Sequence, residues 1–219
     1  MEQPLEHFFY YDIETIPKGD KPTDEELKDL VPKNYKKEES IQKWINTNRE
    51  EIYKKRALDS LEGRLVSIGI AVDDNASEPS RVKIIPYHED EKFMIDQLAK
   101  FIIEQEGYPS YGWVGKNNKE FDHVWLMHRF MKYGFKRLLI DLPSEGRDDR
   151  IKDIQDKFAF TGWKQHWKMD KMCEFLGIND NNDEKGNRVY DMFIKGDFEG
   201  IYFHNREDVV KNYKIFNMF

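Results

Sequence analysis

The residues of this chain best suited to chemistry are acids that recur in three separate stretches. Asp12-Ile13-Glu14 closes an aromatic, β-branched run that begins at His7. On a strand, residues two apart project from one face, so both carboxylates point together while Ile13 turns the other way. Two like charges that close require a cation between them, unless the strand end merely offers them to solvent. The second stretch, Gly115-Lys116-Asn117-Asn118-Lys119-Glu120-Phe121-Asp122, lies between a strand and a helix. Asp122 at the helix start is favoured by the helix dipole and is also a common capping residue there. In the third, Tyr202 to Val210, His204 and Asp208 lie one helical turn apart on a shared face, with Tyr202 around the other side. An imidazole beside a carboxylate serves proton transfer, although such pairs are also ordinary on helix surfaces.

Taken together, the four acids and the imidazole converge only if the first strand, a central helix and the last helix meet at one sheet edge. Hard divalent cations take oxygen ligands, and two of them about 3.5–4 Å apart can activate a water and stabilise a leaving oxygen in phosphodiester hydrolysis.

The elements that must do the positioning are readable from periodicity. His7 to Ile13 has the length of a buried strand, Leu65 to Val72 reads as a core strand, and Arg81 to Tyr87 as its hairpin partner across the polar turn Asp73 to Ser80. Residues 90–104 form an amphipathic helix with Phe93, Leu98, Phe101 and Ile102 on one face, and Tyr111 to Val114 a short strand. Phe121 to Tyr133 is helical, and Arg137 to Leu142 reads as a strand stopped by Pro143. The last third is read as helices at about 150–159, 167–176 and 199–216, with the loop Asn179 to Asn187 between the last two. Between the first two strands, residues 18–61 form a charged helical insertion, with one long helix near 38–58. Strands first, then helix and strand alternating, then a helical end predict a mixed α/β domain around a central sheet.

Composition sets the outer bounds. The chain has 219 residues, enough for one domain or two small ones, and is 39% hydrophobic and 14% aromatic, so a core is affordable. Lys+Arg 35 against Asp+Glu 42 gives a net charge of −7, so no bulk positive field attracts a polyanion. Nucleic-acid contact would have to come from local basic patches or bound cations. A single cysteine, Cys173, excludes an intramolecular disulfide framework and a cysteine-rich zinc site, and reads as core. With no positively charged leader and no apolar run long enough to span a bilayer, the expectation is a soluble, intracellular, cytoplasmic protein with no membrane partner. Other signals are rejected. Gly112 to Lys116 lacks P-loop spacing, Asp180 to Glu184 has Lys185 where a calcium loop needs glycine, and His123 and His128 lack metal-ligand spacing.

In order and spacing the three acidic segments resemble the DEDD superfamily of 3′-to-5′ exonucleases, in particular stand-alone members related to the proofreading domain of family-B DNA polymerases. Asp12-Ile13-Glu14-Thr15 is similar to the first motif, Asn117 to Phe121-Asp122 to the second, and Asp208-Val209 to the third. The likeness extends to Ala57-Leu58-Asp59, Gly63-Arg64-Leu65 and Cys173 to Ile178, and so covers nearly the whole chain. It implies an RNase H-like fold with a mixed five-stranded sheet, a single exonuclease domain over residues 1–219, and two divalent ions, Mg²⁺ or Mn²⁺. It further implies hydrolysis at a DNA 3′ end, single-stranded, with replication or repair proteins as partners. Asp12, Glu14, Asp122 and Asp208 would bind metal, and Ile13, Thr15, Asn117 and Phe121 would hold the terminal nucleotide. One position departs from the pattern: His204 stands where the polymerase-like members carry tyrosine. If the resemblance holds, an imidazole there would orient or deprotonate the attacking water, being the better base near neutral pH. Alternatives are a binding module with little turnover and an RNA-processing exonuclease. Basic and aromatic residues of the insertion, among them Lys54, Lys55, Arg56 and Trp44, could follow a single strand, or form a solvated helix face.

Overall fold

The structure is a computed structural model that describes residues 6–139, 150–160, 166–178 and 188–219. It divides into two compact units, Met1–Glu14 with Leu65–Phe219, and Thr15–Arg64.

The larger unit carries a five-stranded mixed sheet: β1 (Phe8–Pro17), β2 (Gly63–Val72), β3 (Lys83–Ile85), β4 (Gly112–Gly115) and β5 (Ile151–Asp153), in the order β3-β2-β1-β4-β5. The first and second strands continue beyond this unit at one end. β1 runs parallel to β4, with Phe8 opposite Gly112 and Tyr10 opposite Val114. β4 is parallel to β5, and β2 antiparallel to β3. Of the helices, α1 (Asp24–Lys28) and α2 (Glu38–Lys55) belong to the smaller unit; α3 (Glu91–Ile103), α4 (Asp122–Tyr133), α5 (Ile154–Ala159), α6 (Met169–Leu176), α7 (Val189–Lys195) and α8 (Phe198–Phe216) belong to the larger. This is the RNase H-like α/β architecture expected from the sequence.

The period of two in β1 sorts its side chains between two cores. Phe9, Tyr11 and Ile13 join Leu98 of α3 and Trp125 and Phe130 of α4. Tyr10 joins Met172 and Cys173 of α6 and Val209 and Val210 of α8. Continuing the alternation, Asp12 and Glu14 fall on the α8 side of the sheet. Burying a side chain such as Phe9 or Phe130 completely is worth about 1.5–3 kcal/mol, so the apolar half of β1 anchors the acids that follow it. α8 approaches β2 closely at Gly69, where an added Cβ would lie 2.3 Å from Asn205 Oδ1 and 2.9 Å from Val209 Cγ2. Only a residue without a side chain permits that approach.

One buried ion pair ties α3, α4 and β2 together. Arg129 Nε donates to Glu91 Oε2 at 2.8 Å, Tyr133 donates to the same oxygen at 3.2 Å, and the Leu65 N–H donates to Glu91 Oε1 at 2.9 Å. The Arg129 guanidinium also lies over the Trp125 ring at 4.7 Å. Burial pushes the Glu91 carboxyl up, but the Leu65 N–H, Arg129 and Tyr133 outweigh it and hold the group below its ordinary value.

In the smaller unit, Thr23 caps α1 through a reciprocal capping box with Glu26, and Leu27, Ile45 and Tyr53 are buried. Arg49 pairs with Asp24, Lys55 with Glu51 at 2.8 Å, and Arg56 Nη1 donates to the Asp20 carbonyl at 3.0 Å. Part of the basic charge in the insertion is thus met within it.

Two local expectations are corrected. Of the strand read over Arg137 to Leu142, Arg137 and Leu138 lie in the 3₁₀ turn Lys136–Leu138, and residues 140–142 lie outside the described residues. Residues 150–159, read as one helix, split into β5 and the short helix α5, because Asp153 stops the strand and caps the helix by accepting the Gln155 N–H. Pairing of Ile151, Lys152 and Asp153 to Trp113, Val114 and Gly115 outranks a local helical pattern. The helices α1 and α7 were not anticipated. The expected loop at 179–187 lies outside the described residues. Among the described residues, no helix is long and apolar enough to cross a membrane.

Candidate functional site

A cavity of about 220 Å³ opens beyond the C-terminal end of β4, lined by Asp12, Ile13, Glu14, Lys116, Asn117, Phe121, Asp122, Met169, His204 and Asp208. Eight of these ten positions were anticipated for their chemistry or position on three separate segments, Ile13 among them as the residue between the first two acids. Thr15 does not line it. It belongs to the smaller unit, where its hydroxyl donates to the Ala57 carbonyl at 2.6 Å.

Each acid is held by a different device. Asp12 Oδ2 accepts from Asn205 Nδ2 at 2.9 Å, and Asn205 Oδ1 in turn accepts from Ser67 Oγ at 3.3 Å. Asp122, the first residue of α4, accepts the Ile13 N–H at 3.0 Å, which ties the helix start to β1. His204 Nε2 lies 3.5 Å from Glu14 Oε1 and 3.9 Å from Asp208 Oδ2, and both His204 and Glu14 are buried. Lys211, almost fully buried one turn beyond Asp208, places its ammonium 3.2 Å from Asp208 Oδ1. Tyr202 is elsewhere, its hydroxyl accepting the Tyr87 N–H at 3.0 Å.

The loop from β4 to α4 is fixed from below. Asp153 accepts the N–H groups of Asn117 at 2.8 Å and Lys119 at 3.3 Å, and Asn117 adopts a left-handed backbone with φ 55°, a conformation Asn tolerates better than most residues. Gly115 lets the loop fold back, since a Cβ there would meet Asn118 Cβ at 3.0 Å and the Tyr11 carbonyl at 3.3 Å.

The electrostatics are those of crowded acids. Burial first, then the charges of Asp122, Glu14 and Asp208, push the Asp12 carboxyl well above the usual range, against the pull of Asn205. Glu14 is raised well above its ordinary value by burial and by Asp208 and Asp122. Asp122 is pushed up to about 7, chiefly by burial, with the Ile13 N–H and Lys116 working against it. A set of carboxylate oxygens that resists its own ionisation is one that divalent cations with oxygen preference would satisfy. Among the described residues, no group of three or more His, Cys, Asp or Glu side chains is disposed to hold a metal ion as it stands. A carboxylate offers about four lone-pair sites, so the donors on Asp12, Asp122 and Asp208 leave coordinating capacity toward the cavity, and small side-chain rotations would bring it to bear.

Lys116, Met169, Asn205, Asp153 and Lys211 were not picked out from the sequence. The neighbourhood of Asn205 to His204 is the one local signal available, because the partner of Asp12 sits beside the helical residue already suspected. Met169 and Asp153 carry no signal of their own, since only the chain path brings Met169 to the cavity and Asp153 beneath the loop that borders it.

No curated protein matches the sequence. Residues 58–219 match a family described as a predicted 3′-5′ exonuclease related to the exonuclease domain of PolB. The match includes Asn117, Asp122, His204 and Asp208 and begins after Asp12 and Glu14, which the fold brings to the same cavity. With three quarters of its length so matched and the fold to go with it, the chain belongs to this family of 3′-5′ exonucleases related to the family-B polymerase exonuclease domain.

Proposed function

We propose that the protein is a metal-dependent exodeoxyribonuclease that removes nucleotides from the 3′ end of single-stranded DNA. The observation that carries this reading is the convergence of Asp12, Glu14, Asp122 and Asp208, from one strand and two helices, on a single open cavity. These four would hold two divalent ions, Mg²⁺ or Mn²⁺, which when bound supply Lewis-acid activation of water and of the leaving oxygen.

The chain's own residues do the rest. His204 takes the proton of the attacking water at Nε2, and the nearby oxygens of Glu14 and Asp208 stabilise the imidazolium that results. Asn117 and the backbone at Ile13 hold the terminal nucleotide, with Phe121 offering a ring face at the cavity wall. Ile13 N–H is itself occupied by Asp122 and its side chain by the α3–α4 core, so the contribution of Ile13 is its carbonyl. The basic residues of the insertion guide the rest of the strand through phosphate contacts, and replication or repair proteins would deliver it.

The test is a time course with 5′-labelled single-stranded DNA and a matched RNA, in Mg²⁺, Mn²⁺ or EDTA, with Asp12→Ala alongside. A metal-dependent ladder shortening from the 3′ end of DNA, lost in Asp12→Ala, is expected. Preferential shortening of the RNA would redirect the substrate assignment. A strand that is bound but stays intact in both metals would replace the nuclease by a binding module. Charge reversal at Lys54, Lys55 and Arg56 should weaken strand binding and flatten its salt dependence; unchanged binding removes the insertion from the strand path.

A further inference from the structure

Among the described residues lining the cavity, Lys116 is the one lysine or arginine, and neither the metal-binding nor the proton-transfer reading uses it. It is the first residue beyond β4 and the backbone beside it is clamped. The Asn117 N–H is held by Asp153 at 2.8 Å, the buried Asn118 side chain donates to the Lys152 carbonyl at 3.3 Å, and the Asn118 backbone carbonyl accepts the His123 N–H at 2.8 Å. Neighbouring lysines are spent on acids: Lys119 on Asp156 at 2.9 Å and Lys211 on Asp208 at 3.2 Å. Among the described residues, Lys116 Nζ has no hydrogen-bond or ion-pair acceptor. Its charge is felt at Asp122, so it sits close to the acids.

Charge bookkeeping then decides what it faces. Two divalent ions would balance the four carboxylates, and Lys211 on Asp208 already adds a positive charge, so Lys116 remains as an unbalanced cation on the wall, next to Asn117. An ammonium is a compact point charge with three donors, well matched to a phosphate oxygen. Resting on the nuclease reading above, we infer that Lys116 binds a non-bridging oxygen of the phosphate at the 3′-terminal linkage, and so fixes the strand end against the carboxylates.

The experiment follows single-turnover cleavage of a 5′-labelled oligodeoxynucleotide across enzyme and KCl concentrations, and strand binding in EDTA. Wild type is compared with Lys116→Gln, Lys116→Arg and Lys100→Gln, the last an exposed lysine on α3 that removes the same net charge. Lys116→Gln should raise the half-saturating concentration about tenfold, and should lower the salt slope of binding by about 0.7, the value for one phosphate contact on a single strand. Lys116→Arg should keep most of both, and Lys100→Gln should change neither. A neutral methylphosphonate at the terminal linkage should cost wild type in EDTA the same affinity, and should cost Lys116→Gln nothing more. The assignment is overturned if Lys116→Gln matches wild type in affinity and slope, if Lys100→Gln does the same damage, or if the two losses add. These outcomes leave wild-type cleavage intact and so spare the nuclease reading; a wild type that neither binds nor cuts either strand removes both.

Discussion

Two groups of buried acids in this molecule are treated in opposite ways. Glu91 brings its counter-charge with it: Arg129, Tyr133 and the Leu65 N–H surround the carboxylate, and it stays ionised below its ordinary range. Asp12, Glu14 and Asp122 crowd together beside Asp208, with Lys211 on one oxygen of Asp208 and Lys116 nearby, and burial and mutual repulsion raise the first three. A buried charge that serves architecture is neutralised inside the fold. One that serves chemistry is left to be neutralised by what binds. The first arrangement contributes stability and the second spends it, which is the usual balance between a scaffold and its site.

The largest effect that would break this contrast is on activity. Asp12→Ala, or EDTA with wild type, should reduce 3′-end cleavage at least about 10³-fold, yet Asp12→Ala should melt no lower than wild type in EDTA, because it removes a repelling charge. A marked fall in its melting temperature would mean that the site acids hold the fold together after all. On the scaffold side, Arg129→Met strands Glu91 without its partner and should cost about 3–5 kcal/mol in urea unfolding, with cleavage per folded molecule unchanged. His204→Ala falls next, with about a 10²-fold loss in the single-turnover rate while strand binding is kept.

The two groups should also respond to pH with opposite sign. In EDTA, the native site holds protons that the unfolded chain has released between an ordinary 3.8 and about 7 for Asp122, so metal-free stability should fall as pH rises through that window. Saturating Mg²⁺ or Mn²⁺, at about 100 times its dissociation constant, should restore about 2.7 kcal/mol at neutral pH. Glu91, held below 4.5, contributes above that value, and its share is lost as pH falls through its folded value. Thermal melts at pH 4 to 8, with and without metal, separate the two; metal-independent melts across that range would sink the contrast. Gly69→Ala gives the smallest change, about 1–3 kcal/mol, since the new methyl displaces Asn205 and Val209, and it should loosen the Asn205 hold on Asp12 and with it metal affinity.

The amino-acid sequence by itself settled the parts of this protein that depend on local periodicity. The stripe of α3 survives at Leu98 and Ile102, but Phe93 is exposed and Met94 and Ile95 take the buried face instead. The period-two run into Asp12-Ile13-Glu14 and the one-turn spacing of His204 and Asp208 are properties of neighbouring residues, and each survives in the structure. So did the order of the acidic segments, from which the family was legible. Tertiary structure decided what local pattern cannot encode. Ile151–Asp153 became a strand because β4 offered an open edge, and Tyr202 went to Tyr87 while its neighbour on the next face went to the cavity. Lys116 and Asn205 joined the site for the same reason. A side chain's partner across 193 residues, as between Asn205 and Asp12, is set by where the chain returns, and that is fixed by the packing of α8 against the sheet through the gap at Gly69.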